Sequence, residues 1–464
     1  GVHDYFSLMA SVRHRAASVG ELVRTYLSRA SQILFLIFVW FALVYVIIAF
    51  TDITAQTFRI VTAEGVFGPG VAASSFLYLL AAVVMGVCLY RLKMPLWLAT
   101  SLFLPLVLLI VWIGPRMPAG VLHALASIPA RQWDLIILGY CFIASVVPLW
   151  ILLQPRGYLG GWLLYLTMAV ALFGGIFGGA AIQYPAVNLA GLHSALNGVP
   201  LVPILFITVA CGACSGFHGI VSSGTTSKQL ARERDGRPVG YGAMLLEGLV
   251  AVLAVATVMV VARGDAVTKA EPNFIYASGL AAYLSRAGIP FSMALGFMLL
   301  AFSTFVYDTL DVCTRLARYI LQELAGWKTF ASGIVATAVT LALPAVFLLT
   351  TKEKGYLVAW PIFGTTNQLL AGLTLLAVTV WLVRTGRPFL FALLPMCFMM
   401  VFSMWSLALQ ILPVFRPHAS GRPETVIIGA VGILLFILAG WLAVEAVAVI
   451  RRCRGEAGQS ARQH

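Results

Sequence analysis

The sequence predicts an all-α polytopic membrane protein, and three observations lead to this fold class. Of the 464 residues, 61% are apolar and 10% are charged, whereas a soluble domain carries about 25% charged residues. Apolar runs recur along the chain, and each has the length of about 20 residues that a helix needs to cross a bilayer. These runs are continuously apolar and lack the alternation of barrel strands. Lipid is therefore the predicted solvent of most of the chain.

The same composition excludes several classes of protein. The net charge of +13 is spread over the connections between apolar runs and forms no basic face of the kind that binds nucleic acid. Seven cysteines, most of them inside apolar runs, do not make a disulfide framework. The apolar content is also incompatible with intrinsic disorder. The partner that composition indicates is the lipid bilayer, and no nucleic acid is expected.

Twelve spans are predicted, in chain order. They lie near 32–50, 71–90, 95–113, 133–153, 162–181, 200–222, 239–262, 288–307, 330–350, 356–383, 389–412 and 424–450. Residues 32–450 then form one transmembrane domain, between a polar N-terminal segment at 1–31 and a basic tail at 451–464. Residues 263–287 are expected to form a loop between the seventh and eighth spans.

The positive charges orient these spans. With 1–31 placed in the cytoplasm, 20 of the 30 Lys and Arg residues fall on inner segments, as expected for cytoplasmic connections. Arg156 is one of these inner residues in this assignment. Since a miscount by one helix would spoil the bias, an even number of spans with both termini in the cytoplasm is predicted.

The strongest functional signal is the segment 208–228, TVACGACSGFHGIVSSGTTSK. Its glycines permit unwinding, and unwound backbone exposes N–H and C=O groups that can hold a polar ligand at membrane depth. The alternative is close helix packing through a G-x-x-x-G pair, which leaves the hydroxyl run after the glycines unexplained. The candidate substrate-binding residues here are Gly212, Ser215, Gly216, Phe217, His218, Ser222, Ser223, Thr225, Thr226 and Lys228.

Two other patterns in this segment are weaker. Cys211 and Cys214 form a C-x-x-C followed by His218, but a fourth zinc ligand is not evident. The G-x-x-x-x-G at 219–224 is followed by Thr225 instead of Lys, so it is not a phosphate-binding loop. No metal ion and no cofactor are predicted.

Acidic residues inside predicted spans are candidates for ion coupling, in the order Glu247, Asp308 and Asp311. An ionised carboxylate at a helix centre costs about 2.5–3.5 kcal/mol on insertion scales. Glu247 is therefore either an ion carrier or the partner of a hydroxyl or of His218. Asp308 and Asp311 share a helix face and can hold a cation, or Asp311 can pair with Arg315 as a gate or as a helix-end salt bridge.

A last polar stretch is AWPIFGTTNQLLAG at 359–372. Pro361 and Gly364 interrupt an apolar run, and proline leaves a helical carbonyl without its donor. The site either kinks for packing or lines a pathway. Asn367 and Gln368 are candidate substrate-binding residues, because amides both donate and accept hydrogen bonds.

At these residues the chain resembles the carbon starvation protein A (CstA) family of bacterial inner-membrane transporters. The resemblance rests on GVHDYFSLMASVRHRAASVGELV (1–23), GYCFIASVVPLWILLQPRGYL (139–159), ITVACGACSGFHGIVSSGTTSKQL (207–230), VGYGAMLLEGLVAV (239–252), TLDVCTRLARYILQEL (309–324) and WPIFGTTNQLLAG (360–372). It implies uptake of peptides or pyruvate under carbon starvation, by proton or sodium symport. It also implies the LeuT-like inverted repeat of the amino acid–polyamine–organocation superfamily.

The chain departs from this family in two ways. Family members normally begin with further helices and an HFAAIAGAGP-type segment upstream of the position of Gly1, so we expect a family member without its N-terminal helices. Cys214 stands where the family's ACGA motif usually has an aliphatic residue, which argues further against a metal site. Two alternatives to a transporter are a nutrient sensor without transport, and a membrane enzyme that uses His218 with Ser222 or the cysteine pair.

Overall fold

The computed structural model describes residues 1–62, 65–179, 181–193, 195–196, 199–351, 354–415 and 423–460, and these are almost entirely helical. The helices are α1 (Val2–Arg13), α2 (Val19–Tyr26), α3 (Arg29–Thr57), α4 (Gly68–Tyr90), α5 (Leu96–Ile113), α6 (Ala119–Ala126), α7 (Ala130–Val146), α8 (Leu153–Phe177), α9 (Leu201–Ala210), α10 (Gly216–Gly224), α11 (Ala243–Met259), α12 (Pro272–Arg286), α13 (Phe291–Ala325), α14 (Phe330–Thr350), α15 (Tyr356–Arg384), α16 (Leu390–Ile411) and α17 (Pro423–Ser460). Two antiparallel pairs of two-residue strands join Val61–Thr62 to Gly65–Val66 and Ala195–Leu196 to Val199–Pro200. A π-helical turn, Arg237–Gly242, leads into α11.

Ten helical segments of the described chain are long and apolar enough to cross a membrane, so the protein is a multi-pass membrane protein. They contain α3, α4, α5, α8, α11, α13, α14, α15, α16 and most of α17. The described chain has two spans fewer than the twelve predicted, and the difference arises at two places. α7 has 17 residues and ends just before Pro148, as helices do when a proline follows. The run predicted at 200–222 is divided into α9 and α10.

The prediction of a loop at 263–287 is wrong, because α12 occupies most of this range. Its apolar residues are interspersed with polar ones and form a stripe along one helix face, as in an amphipathic helix. Ala277, Leu280 and Ala281 on this stripe are fully buried. α12 packs against α8, α11 and α13, so it is part of the bundle.

The long helices α3, α13 and α15 form the centre of the bundle. α3 packs against both α13 and α15, and α15 also packs against α16 and α17. Polar residues on α15 therefore lie deep in the protein. α1 packs along α10 and α15, which brings the polar start of the chain beside the interrupted helix. α11, by contrast, is mostly exposed.

Candidate functional site

The predicted interruption of the glycine-rich helix is present. α9 ends at Ala210 and α10 begins at Gly216, with the five residues CGACS between them outside any α-helix. An interruption of this kind frees N–H and C=O groups, which in a membrane protein must find partners inside the protein. The neighbouring helix α15 provides those partners.

Asn367 and Gln368 of α15 bind the interrupted segment. The Asn367 side-chain oxygen accepts the N–H of Phe217 at 2.8 Å, and its nitrogen donates to the Ser215 hydroxyl at 3.0 Å. With its amide oriented to pair both polar atoms, Gln368 donates to the Cys214 carbonyl at 2.6 Å and accepts the Cys211 N–H at 2.9 Å. Both side chains are buried, and in this structure their polar atoms bind the chain itself.

Gly216 makes the close approach of α10 to α15 possible. A Cβ at this position would collide with the Asn367 carbonyl, and would lie 2.5 Å from the Ala371 nitrogen and 2.6 Å from the Leu370 Cβ. Since two of these three atoms belong to the backbone, they cannot rotate away. The G-x-x-x-G pair therefore has a packing role at Gly216, as one of the two interpretations of this segment expected.

A cavity of about 420 Å³ lies on the other side of α10. Among the predicted site residues, those that line it are Phe217, His218, Ser222, Thr226, Glu247 and Asp308. Those that do not are Gly212, Ser215, Gly216, Ser223, Thr225, Lys228, Asn367, Gln368 and Asp311. The cavity wall also includes Asp4 of α1, which the sequence analysis did not single out.

Asp4 lies between two imidazoles. Its Oδ2 is 2.9 Å from Nδ1 of His218, and its Oδ1 is 2.6 Å from Nδ1 of His3. His3 and Asp4 are 3% and 7% exposed. The signal for this cluster was present in the sequence as a His-Asp pair in a polar segment, but nothing in the sequence indicated that the segment packs against α10.

Glu247 faces the same imidazole from α11. Its Oε1 lies 3.8 Å from Nε2 of His218, and the Glu247 side chain is 43% exposed. The expected neighbourhood of Glu247 and His218 is therefore present, at a distance longer than a hydrogen bond. A carboxylate at this distance stabilises a positive charge on the imidazole.

Asp308 and Asp311 share Arg156 as their counter-charge. Arg156 belongs to α8 and is fully buried, so its assignment to an inner connection is corrected. It contacts Asp311 and Tyr140, and its Nη2 is 3.2 Å from Asp308. A Cβ on Gly160 would lie 2.7 Å from Oδ2 of Asp308, so a glycine here leaves space for that carboxylate beside α8.

The alternative pairing of Asp311 with Arg315 is wrong. Arg315 donates to the carbonyls of Ala144 and Val147 at the end of α7, where free carbonyls attract a cation. Arg318 likewise donates to the Ser145 carbonyl at 2.7 Å. Two carboxylates on one helix face inside a membrane require a counter-charge, and that signal could have directed the search to Arg156.

Lys228 lies apart from the main cavity. It lines a smaller cavity of about 60 Å³ with Ser223, Ser18 and Glu323. Glu323 accepts hydrogen bonds from Ser18 and from Gln32 at 3.1 Å. The C-x-x-C cysteines are free thiols, and in the part of the chain that the structure describes no three His, Cys, Asp or Glu side chains are grouped to hold a metal ion.

Comparison with known proteins places this chain among transporters. Residues 1–273 and 261–406 match the family described as Carbon starvation protein CstA. The chain is similar to the "Peptide transporter CstA" of Helicobacter pylori (strain J99 / ATCC 700824), with 29% identity, 89% of this chain and 68% of the relative covered. It is also similar to the protein of that name from Bacillus subtilis (strain 168), with 26% identity, 96% of this chain and 80% of the relative covered.

A second name occurs among the relatives. The "Pyruvate/proton symporter BtsT" of Escherichia coli (strain K12) is 27% identical, with 59% of this chain and 50% of the relative covered. Among solved structures, a manganese transporter of Eremococcus coleocola has a TM-score of 0.44 and 13% identity, with 97% of this chain and 94% of that chain covered. The sequence relatives are named as transporters, which confirms the prediction that the chain is not an enzyme.

Proposed function

The chain belongs to the carbon starvation protein CstA family, as its motifs predicted, and on this premise we propose that it is a secondary active transporter of peptides or pyruvate. Transport is inward across the bacterial inner membrane, with both termini in the cytoplasm, and is driven by proton or sodium symport. The family implies that uptake serves the cell during carbon starvation. Two kinds of relative, named for peptide and for pyruvate transport, support the two candidate substrates.

The observation that carries this proposal is the charged cavity beside an interrupted helix. Its volume of about 420 Å³ falls in the range of about 300–1,000 Å³ typical of small-molecule sites. Apolar side chains make up much of its wall, and Asp4, His218, Glu247 and Asp308 are concentrated in it. Interrupted helices and intramembrane ionisable groups mark the substrate and ion sites of secondary transporters.

The predicted site residues take different parts in this proposal. Phe217, His218 and Ser222 of α10, and Thr226 of the turn after it, contact the solute. The interrupted segment with Gly212, Ser215 and Gly216 keeps α10 separate from α9, and Asn367 and Gln368 hold that interruption by their hydrogen bonds. Ser223 lies near the end of α10, and Thr225 and Lys228 lie in the turn that follows it. There Lys228 attracts the carboxylate of the solute towards the cytoplasmic mouth.

The three acidic candidates for ion coupling are not equivalent in this proposal. Glu247 and Asp308 line the cavity and are accessible to an ion. Asp311 is fully buried and contacts both Arg156 and Tyr140. We therefore assign to Glu247 and Asp308 the attraction of the coupling ion into the cavity, and to Asp311 the neutralisation of Arg156.

Uptake of labelled pyruvate and of a labelled dipeptide tests the proposal in a host deleted for its own carriers of both. The full chain is compared with a Ser222→Ala/Thr226→Val variant and with Ser101→Ala, an exposed hydroxyl on α5. We expect uptake of one solute, abolished by a proton ionophore or by removal of sodium, strongly reduced in the double variant and unchanged in Ser101→Ala. Uptake of neither solute by the unmodified protein contradicts the proposal.

A further inference from the structure

We propose that the coupling proton binds at Nε2 of His218, and that Asp4, itself held by His3, positions this imidazole for the task. This inference rests on the proposed transport function and names its coupling ion and the atom that binds it. The bound proton makes His218 a cation in the wall of the cavity. That cation binds the carboxylate of the solute, so that proton and solute enter together.

The hydrogen bonds around Asp4 determine which ring nitrogen is free. An ionised carboxylate only accepts hydrogen bonds, so Nδ1 of His218 carries a hydrogen where it meets Oδ2 of Asp4 at 2.9 Å. The neutral imidazole then has its lone pair on Nε2, the atom on the side of Glu247. A proton from the aqueous phase forms an N–H bond with this lone pair and later leaves from the same atom. No other bond is made or broken.

Asp4 stabilises the protonated ring in the same way that a buried aspartate stabilises an imidazolium in a catalytic triad. Asp4 is 7% exposed, so its charge is poorly screened by water and acts strongly on His218. His3 bonds to the other oxygen of Asp4 at 2.6 Å and so prevents the carboxylate from turning away from His218.

His3 is a positioning residue and not a second proton carrier. It is 3% exposed, and among the described residues its Nε2 has no hydrogen-bond partner. A Cβ added to Gly219 would lie 3.2 Å from this Nε2, which shows how closely α10 covers the ring. A proton from the cavity therefore reaches the His218 ring and not the His3 ring.

The carboxylates around His218 favour its protonation. Glu247 of α11 and Asp308 of α13 share the cavity with it, and Tyr241 of the π-helical turn lies beside the start of α1. Two further titratable groups near His218 are the thiols of Cys211 and Cys214, which lie just before α10. In the described chain, the parts of α15 and α16 near His218 carry only amides and hydroxyls as polar side chains. Lys228 follows Ser227, which bonds to Ser11 of α1, about 10 Å further along that helix than Asp4 at 1.5 Å per residue. The charged Glu21 and Arg24 of α2 share a cavity with Arg13, still further along α1.

This arrangement links proton binding to anion binding. With His218 neutral, the carboxylates of Asp4, Glu247 and Asp308 repel an anionic solute, and Arg156 is already engaged by Asp308 and Asp311. With the proton bound, the wall gains a cation that the solute carboxylate can approach. By thermodynamic linkage, the proton raises the affinity for the solute by the same factor that the solute raises the affinity for the proton.

Two modes of transport by the purified full chain in liposomes test the inference. One is accumulation driven by an imposed proton gradient, and the other is exchange of internal for external labelled solute at equal pH. We expect His218→Arg, which keeps a cation at this position but cannot release a proton, to lose accumulation at least about tenfold and to retain exchange. The matched control His123→Arg, in the short helix α6, should leave both modes unchanged.

The dependence of apparent solute affinity on pH tests Asp4. In Asp4→Asn the imidazolium loses its carboxylate partner, so the pH of half-maximal affinity should fall by about one unit or more. Asp4→Glu should bring the pH of half-maximal affinity part of the way back to that of the unmodified protein. If Asp4→Asn does not fold, the same measurement on Asp4→Glu tests the inference, and a small downward shift is expected. Asp235→Asn, on the loop before α11, is the control and should match the unmodified protein.

The outcomes separate the two claims. Unmodified protein that accumulates neither pyruvate nor a dipeptide contradicts the transport function itself. Unmodified protein that accumulates solute, with a His218→Arg variant that does so with the same pH dependence, overturns the proton site. Accumulation driven by a sodium gradient alone also overturns it, as does loss of both modes in a His218→Arg variant of unchanged thermal stability, because a cation at this position would then not bind the solute.

Discussion

The His218 imidazole lies 2.9 Å from the Asp4 carboxylate, although 214 positions separate the two residues in the chain. This contact joins α1 to α10 at the cavity wall. It explains why a polar segment at the start of the chain is buried in a bundle of apolar helices: the carboxylate has two imidazole partners there, and burial of a charge is tolerated when the charge is paired.

Replacement of Asn367 by alanine is expected to destabilise the protein by about 2–3 kcal/mol, because the Phe217 N–H and the Ser215 hydroxyl lose buried partners. The measurement is thermal or denaturant unfolding of the purified protein in detergent. Asn188→Ala is the matched control, since this asparagine bonds to Gly191 in an exposed segment. Equal stabilities of the two variants would contradict the role given to Asn367.

Gly216→Ala should reduce the yield of folded protein sharply, since its methyl group would collide with backbone atoms of α15. Gly175→Ala is the control, because Gly175 lies within α8 with no heavy atom within 4 Å of an added Cβ. In a helix interior that change is expected to stabilise by about 0.5–1 kcal/mol. Size-exclusion chromatography in detergent distinguishes the two variants. A normal elution profile and yield for Gly216→Ala would refute the close approach of α10 to α15 at this residue.

Arg156→Met is expected to cost about 3–5 kcal/mol, because it leaves carboxylates in the bundle without their counter-charge. The triple variant Arg156→Met/Asp308→Asn/Asp311→Asn removes the unpaired charges and should recover most of this loss. Arg91→Met, an exposed arginine that stacks on Trp150, serves as the control. If the triple variant is as unstable as Arg156→Met alone, the loss does not arise from unpaired charge.

Cys211→Ser/Cys214→Ser should leave solute uptake unchanged, and so should treatment of the unmodified protein with a zinc chelator. The reason is that the Cys211 sulfur accepts a hydrogen bond from the Asn367 amide at 3.5 Å, and its backbone N–H, not its sulfur, meets Gln368. The measurement is initial uptake rate at matched expression. Uptake that falls with the chelator and is restored by zinc would instead support a metal site at the C-x-x-C.

The positions of the functional segments could be predicted from the sequence where a short run of residues has a direct effect on the helix that contains it. Glycines with following hydroxyls predicted an interruption within 208–228, which the structure has at 211–215. The amides at 367 and 368 marked α15 as a polar part of the interior. Their contacts were not predictable, since an amide between two apolar stretches pairs equally well with a solute or with free backbone. Only the packing of α10 on α15 selects the backbone.

Arg156 shows the same limit of sequence-based prediction for a charged residue whose partners lie on a distant helix. Beside Pro155 and Gly157 it has the surroundings of a loop residue, and the charge-bias rule counts it as cytoplasmic. In the structure α8 begins at Leu153 and places the guanidinium between two carboxylates of α13. A charge in a short polar stretch has no partner that can be identified until distant helices are packed together.

The sequence by itself determined that the protein is helical, that it crosses the membrane many times, and that a helix is interrupted within 208–228. These properties depend on apolar run length and on glycine and proline, which act over a few residues. The break expected at Pro361 and Gly364 is absent, because α15 is one helix from Tyr356 to Arg384. The tertiary structure alone decided that Asp4 meets His218, that Arg156 serves Asp308 and Asp311, and that α12 is buried. The two ionic pairings join residues more than a hundred positions apart. Their energies, like the burial of α12, depend on distances that only the packed bundle establishes.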